Sequence, residues 1–93
     1  MTQVNPSPAE AVVLAVFLDS PSASLTIPLI TRTTGLSEST VRAQIKRLRL
    51  HGVVWKSSLT MHPAYYRLRR DPNLDYIASL RRVGADVRDV ERI

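Results

Sequence analysis

The sequence predicts a mainly α domain with a small β-hairpin: a three-helix core, two short strands and a C-terminal helix. Three observations predict it. Hydroxyl or Asp side chains stand where helices would begin, at Ser7, Thr26, Ser37 and Asp71. Glycines at 35 and 52 bracket a segment whose apolar residues recur at helical spacing. Between Val53 and Arg70, β-branched and aromatic residues flank a proline-containing connection, the pattern of two strands and a turn. The 93 residues are long enough for one modest core, read as one domain over 1–93, with core and hairpin over 7–70 and a last helix over 71–93.

The first helix follows from "SPAE" at 7–10, which has the form of a capping box. Ser7 accepts from exposed amides, Pro8 fits the first helical position, and Glu10 reaches back. The helix should run to about Leu18 and stop before Pro21. Its apolar residues point in several directions (Val12 with Val16, Val13 with Phe17, Leu14 with Leu18), so cover on more than one side is expected. In so short a chain the second cover is expected to be another subunit.

"LTIPLITRTTG" at 25–35 comes next. Leu25 reads as a lone strand residue, and Thr26 as the cap of a short helix whose first turn tolerates Pro28. Gly35 should end that helix in a left-handed conformation.

Ser37 caps the third helix, and Glu38 suits the positive end of its dipole. Val41, Ile45 and Leu48 form one narrow apolar stripe. The opposite side carries Ser39, Ala43, Lys46 and Leu50, flanked by Arg42 and Arg47. Short side chains permit close approach to a groove, and cations reach base edges or phosphates. Gly52 ends this helix.

"VVWKSSL" and "YYRLR" then read as strands joined through "TMHPA" with Pro63 in the connection. With Tyr66 and Leu68 inward, Tyr65, Arg67 and Arg69 point outward, and Lys56 adds to that surface. Trp55 either stacks on a nucleotide or packs beneath the hairpin, the second being the simpler role. Asp71–Pro72 repeats the cap-then-proline signal for the last helix. There Tyr76, Leu80, Val83, Val87 and Val90 recur at intervals of 4, 3, 4 and 3. Gly84 and the flanking acids Asp86 and Glu91 disfavour a symmetric coiled coil, so the expected dimer packs this helix with the first, through Val13, Phe17, Tyr76, Leu80, Val83 and Val87.

Charge supplies the functional direction. The net charge is +5, yet from Arg32 to Arg70 nine basic residues face Glu38 alone, whereas both flanking segments are slightly acidic. A cationic patch concentrated in this way points to a polyanion. There is no cysteine, and the two histidines, His51 and His62, lack further nitrogen or sulfur ligands, so no metal and no cofactor are expected. His51 at a helix C-terminus is a favourable dipole partner instead. The serines have no histidine base at helical spacing and no Gly-rich phosphate loop occurs, so an enzyme is not expected. The longest apolar run, Ala11–Leu18, is less than half a membrane span, and no signal peptide is evident. A cytoplasmic, nucleoid-associated protein with no membrane contact is the expectation.

"GLSESTVRAQIKRLRLHGVV" at 35–54 resembles the Gly-Leu-Ser, Thr-Val, aliphatic, Leu, Gly, apolar-pair pattern of winged helix-turn-helix DNA-binding domains. "YYRLRRDPNL" is similar to the wing end and last helix start of ArsR-type repressors, in the wider ArsR/MarR-like group. The resemblance covers about Ala9 to Arg82. It implies a recognition helix over 37–51 in the DNA major groove, with Ser37, Ser39, Thr40, Arg42, Ala43, Lys46 and Arg47 as contact candidates. It also implies a wing over 53–70 that meets the backbone through Lys56, Arg67 and Arg69. The implied function is a dimeric, sequence-specific double-stranded DNA-binding transcriptional regulator, a repressor of prokaryotic or viral origin. The competing reading is a winged-helix assembly module whose basic face meets an acidic protein.

Overall fold

A computed structural model describes residues 7–57 and 64–91, with side chains up to residue 82. The element order is α1 (Pro8–Asp19), α2 (Ile27–Thr34), α3 (Glu38–Leu50), β1 (Val54–Lys56), β2 (Tyr66–Leu68) and α4 (Leu74–Glu91). The architecture is mainly helical with one two-stranded antiparallel sheet. "TMHPA", with His62 and Pro63, lies almost wholly outside the described residues.

The helix starts are where local chemistry puts them. Ser7 accepts from the Glu10 amide, Thr26 from the Leu29 amide and Ser37 from the Thr40 amide, each with extended backbone at the cap. Each such bond satisfies one of the otherwise unpaired first-turn donors. Gly35 and Gly52 have φ of 75° and 74°, the left-handed region that lets a helix stop sharply without a Cβ penalty. The last helix departs from expectation. Its cap is Asn73, whose Oδ1 accepts from the Tyr76 amide, so the helix begins three residues after Asp71. Asp71 instead lies 3.7 Å from Arg69.

The sheet pairs Val54 with Leu68, Trp55 with Arg67 and Lys56 with Tyr66. Ser57 extends the ladder by one residue through bonds to Tyr65. On the other side of β2, Leu25 and Tyr66 exchange both backbone bonds, at 2.7 and 2.8 Å, so Leu25 is the lone strand residue anticipated. Tyr66 is buried, Leu68 half-buried and Arg67 exposed.

A single core cluster joins all the helices and the sheet. On α3 it takes Val41, Ile45 and Leu48, the stripe read from the sequence. On α1 it takes Val13, Leu14 and Phe17, which with the buried Glu10 make a regular i, i+3, i+4, i+7 stripe. That stripe was hidden in the sequence because its first member is an acid. The remaining apolar residues of α1 are secondary: Val12 is exposed, and Val16 and Leu18 are half-buried.

This arrangement corrects the expected dimer surface. Val13, Phe17 and Leu80 have no exposed surface in a single chain, and Tyr76 turns toward Glu10 and His51. One chain covers α1 with α2, α3, α4 and β2, so a partner subunit is not needed for that purpose. Among the described side chains of α4 the buried ones are Ile77 and Leu80, so the buried row runs one residue off the heptad at Ile77. Val83, Val87 and Val90 belong to the part of α4 whose side chains lie outside the description. No helix among the described residues is long and apolar enough to cross a membrane.

Candidate nucleic-acid interface

The outward side of α3 and the neighbouring edge of the sheet carry Arg42, Lys46, Arg49, Lys56 and Arg69. Ser39, Ala43, Lys46 and Leu50 are exposed, as the 100° periodicity requires. Arg42 is exposed too, and its Nε and Nη2 donate to Glu38 Oε1 at 3.1 and 2.7 Å. A pair of this i, i+4 type at the surface is worth only about 0.3–0.5 kcal/mol, so a phosphate or base edge can replace the carboxylate. Ser37 and Thr40 are less free. The Ser37 hydroxyl caps α3 and donates to Thr40 Oγ1 at 2.8 Å, and it lies 3.3 Å from Ser39 Oγ.

Between the C-terminal half of α3 and β1 runs a groove of about 460 Å³. Lys46 and Arg49 come from α3, Lys56 from β1 and Arg69 from just beyond β2; Leu50, Val54 and Trp55 supply its apolar lining. No carboxylate lines it among the described residues. Four like charges around one concavity focus a positive potential there. Leu50 is on the outward side that the helical periodicity assigns it; Arg49 is the addition, one turn beyond Lys46 and so on the same side.

Trp55 is not beneath the sheet. It is 47 % exposed, and the Arg67 guanidinium lies 4.8 Å from its ring centroid. The cause is local. Val53 and Val54 are both buried, which shifts the alternation so that position 55 faces out. Cross-strand register then sets Trp55 and Arg67 on one face.

Arg47 is withdrawn from the groove set. Its Nε donates to Glu10 Oε1 at 2.7 Å, and its Nη2 is shielded from solvent. Glu10 is fully buried in the first turn of α1 and does not reach back to cap its own helix. Its other oxygen accepts from the Tyr76 hydroxyl, and the Tyr76 ring stacks on His51 with centroids 4.0 Å apart and planes 10° from parallel. Ser7 adds a bond to Gln44 Oε1 at 3.2 Å. A buried carboxylate must be paired, and this one is paired twice, from α3 and from α4. The hydrogen bond to Glu10 holds the Arg47 guanidinium pKa above its ordinary value.

Burial, then the bond to Glu10, pushes the Tyr76 phenol up to about 12. The neutral phenol is therefore favoured in the folded chain. Its contribution is fully present below an unfolded pKa of about 10 and is lost as pH rises from about 10 through 12, because the unfolded chain ionises first. Denaturant titrations across that window should show a shallower decline for Tyr76→Phe than for the unaltered chain. Parallel declines would remove Tyr76 from the linkage.

Among the described residues no group of three or more His, Cys, Asp or Glu side chains is placed to hold a metal ion. Comparisons with protein-family models, with curated proteins and with solved structures give no match to this chain.

Proposed function

We propose that this chain is a winged helix-turn-helix binder of double-stranded DNA that regulates transcription, as a repressor acting at the nucleoid in the cytoplasm. In this reading α3 enters the major groove and the β1–β2 sheet is the wing on the flanking backbone. The observation that carries it is the cationic surface itself. Lys46 and Arg49 face Lys56 and Arg69 across one groove, and the exposed short residues Ser39 and Ala43 leave α3 room to approach base edges. Arg42, one turn before Lys46, reads a base; Lys56, Arg67 and Arg69 position the backbone. Arg47 has no place in this set, because its charge is spent on Glu10.

Pairing of two copies belongs to the same proposal. A two-fold dimer would set two α3 helices about 34 Å apart and match an inverted repeat. Of the interface residues expected from the sequence, Val83 and Val87 remain as candidates, and their side chains lie outside the description. Sedimentation at tens of micromolar decides that part.

The test of the DNA reading is a salt series on duplexes of random sequence. Six cations (Arg42, Lys46, Arg49, Lys56, Arg67 and Arg69) cap the slope of log K against log salt at about −5 per copy. Arg67→Ala and Arg69→Ala should each weaken all duplexes about equally and reduce that slope by roughly 1. An unchanged slope in both variants removes the wing contact. Absence of any duplex binding removes the function and favours the acidic-protein reading.

A further inference from the structure

Trp55 is the chain's single tryptophan, and it lies at the surface beside the groove, not in the core. Leu50, 75 % exposed, stands on the other wall. Both apolar groups are ringed by the cations Lys46, Arg49, Lys56 and Arg69. A fully paired duplex does not account for this mixture. Its base faces are stacked on one another, and the apolar surface it offers from outside is chiefly the thymine methyls of the major groove. Cations alone would serve its phosphates. An unpaired strand is different, since it presents base faces and phosphates side by side, and an aromatic ring next to cations complements both.

We propose that the groove between α3 and β1 receives unpaired nucleotides of a DNA strand, with one base stacked on Trp55 and the adjoining phosphates held by Lys46, Arg49, Lys56 and Arg69. This rests on the DNA reading above and adds to it a preference for sites where paired and unpaired DNA meet. The volume of about 460 Å³ suits a stretch of one or two nucleotides. Arg67 supports the assignment from the side. Its guanidinium over the indole fixes the ring before any base arrives, which lowers the ordering cost of stacking. Arg67 is not among the groove-lining residues, so the stacking surface and the fixing contact are separate.

The experiment uses the full chain and four probes: a blunt duplex, the same duplex with an unpaired thymidine tail, an oligothymidine of about eight nucleotides, and free thymidine monophosphate. Labelled-DNA anisotropy measures affinity, and the emission of the single tryptophan reports stacking. The tailed duplex should bind at least about 5-fold tighter than the blunt one and quench Trp55. Trp55→Ala should lose about 5- to 150-fold on the tailed duplex and the oligothymidine, with the blunt duplex changed less than about 2-fold. Trp55→Phe should recover part of that loss, and circular dichroism should show both variants folded. Equal affinity for blunt and tailed duplexes without quenching overturns the inference and leaves the duplex reading standing. Binding to none of the DNA probes overturns both. If free thymidine monophosphate binds as tightly as the oligothymidine, the groove is a free-nucleotide site and the strand assignment falls.

Discussion

Arg47→Ala should lower stability by about 3 kcal/mol and the thermal midpoint by more than about 10 °C. The side chain leaves behind the Glu10 carboxylate, which has no exposed surface and keeps only the Tyr76 hydroxyl as a partner. Stripping a buried charge of its counter-ion costs more than the pair itself contributes, because the desolvation already suffered goes uncompensated. Arg47 is itself about one-third exposed, which places the effect at the lower end of the usual range. A chain of 93 residues has about 5–14 kcal/mol in all, so the loss is a large share. Glu10→Gln combined with Arg47→Met should lose less than Arg47→Ala alone, since it removes both charges and keeps the arginine stem's packing. The same Arg47→Ala chain should show an unaltered salt slope on duplex DNA. A midpoint within about 2 °C of the parent, together with a smaller slope, would return Arg47 to the DNA-facing set.

Leu80→Ala is the second large effect, about 2–5 kcal/mol. Leu80 has no exposed surface and lies in the one core cluster, so its removal leaves a cavity among the helices. The loss should be the same at low and high protein concentration. A residue at a subunit interface behaves otherwise, because mass action restores the assembly as concentration rises. Melting curves over a hundredfold concentration range separate the two. A deficit that fades with concentration would return Leu80 to the subunit interface.

What could be read from the sequence was mostly local chemistry. Ser7, Thr26 and Ser37 cap helices by bonds spanning three residues, and Gly35 and Gly52 act through their own backbone angles. The α3 stripe was equally legible, because Val41, Ile45 and Leu48 are apolar and helically spaced. Asp71 and Asn73 are both competent caps two residues apart, and propensity alone does not choose between them. The core face of α1 is not legible locally, because burial of Glu10 depends on partners 37 and 66 positions away. The same long-range pairing decided that Arg47 faces inward, although by angle it belongs beside the exposed row. On the sheet, the outward turn of Trp55 follows from two consecutive buried valines, which no simple alternation anticipates.

The Glu10 knot also sets an order on chain synthesis. Glu10 is made 66 residues ahead of Tyr76 and 37 ahead of Arg47. Until both have left the ribosome, α1 can coil, but its carboxylate lacks the pairing that offsets its leaving water, and the Val13–Leu14–Phe17 face beside it is covered only in part, by α2 and α3. An N-terminal half made alone would hold Glu10 with its Tyr76 bond missing, and the cover of α1 is completed only when α4 arrives. Closure of the core is then a late step in synthesis, although α1, α2 and α3 are all complete by residue 50.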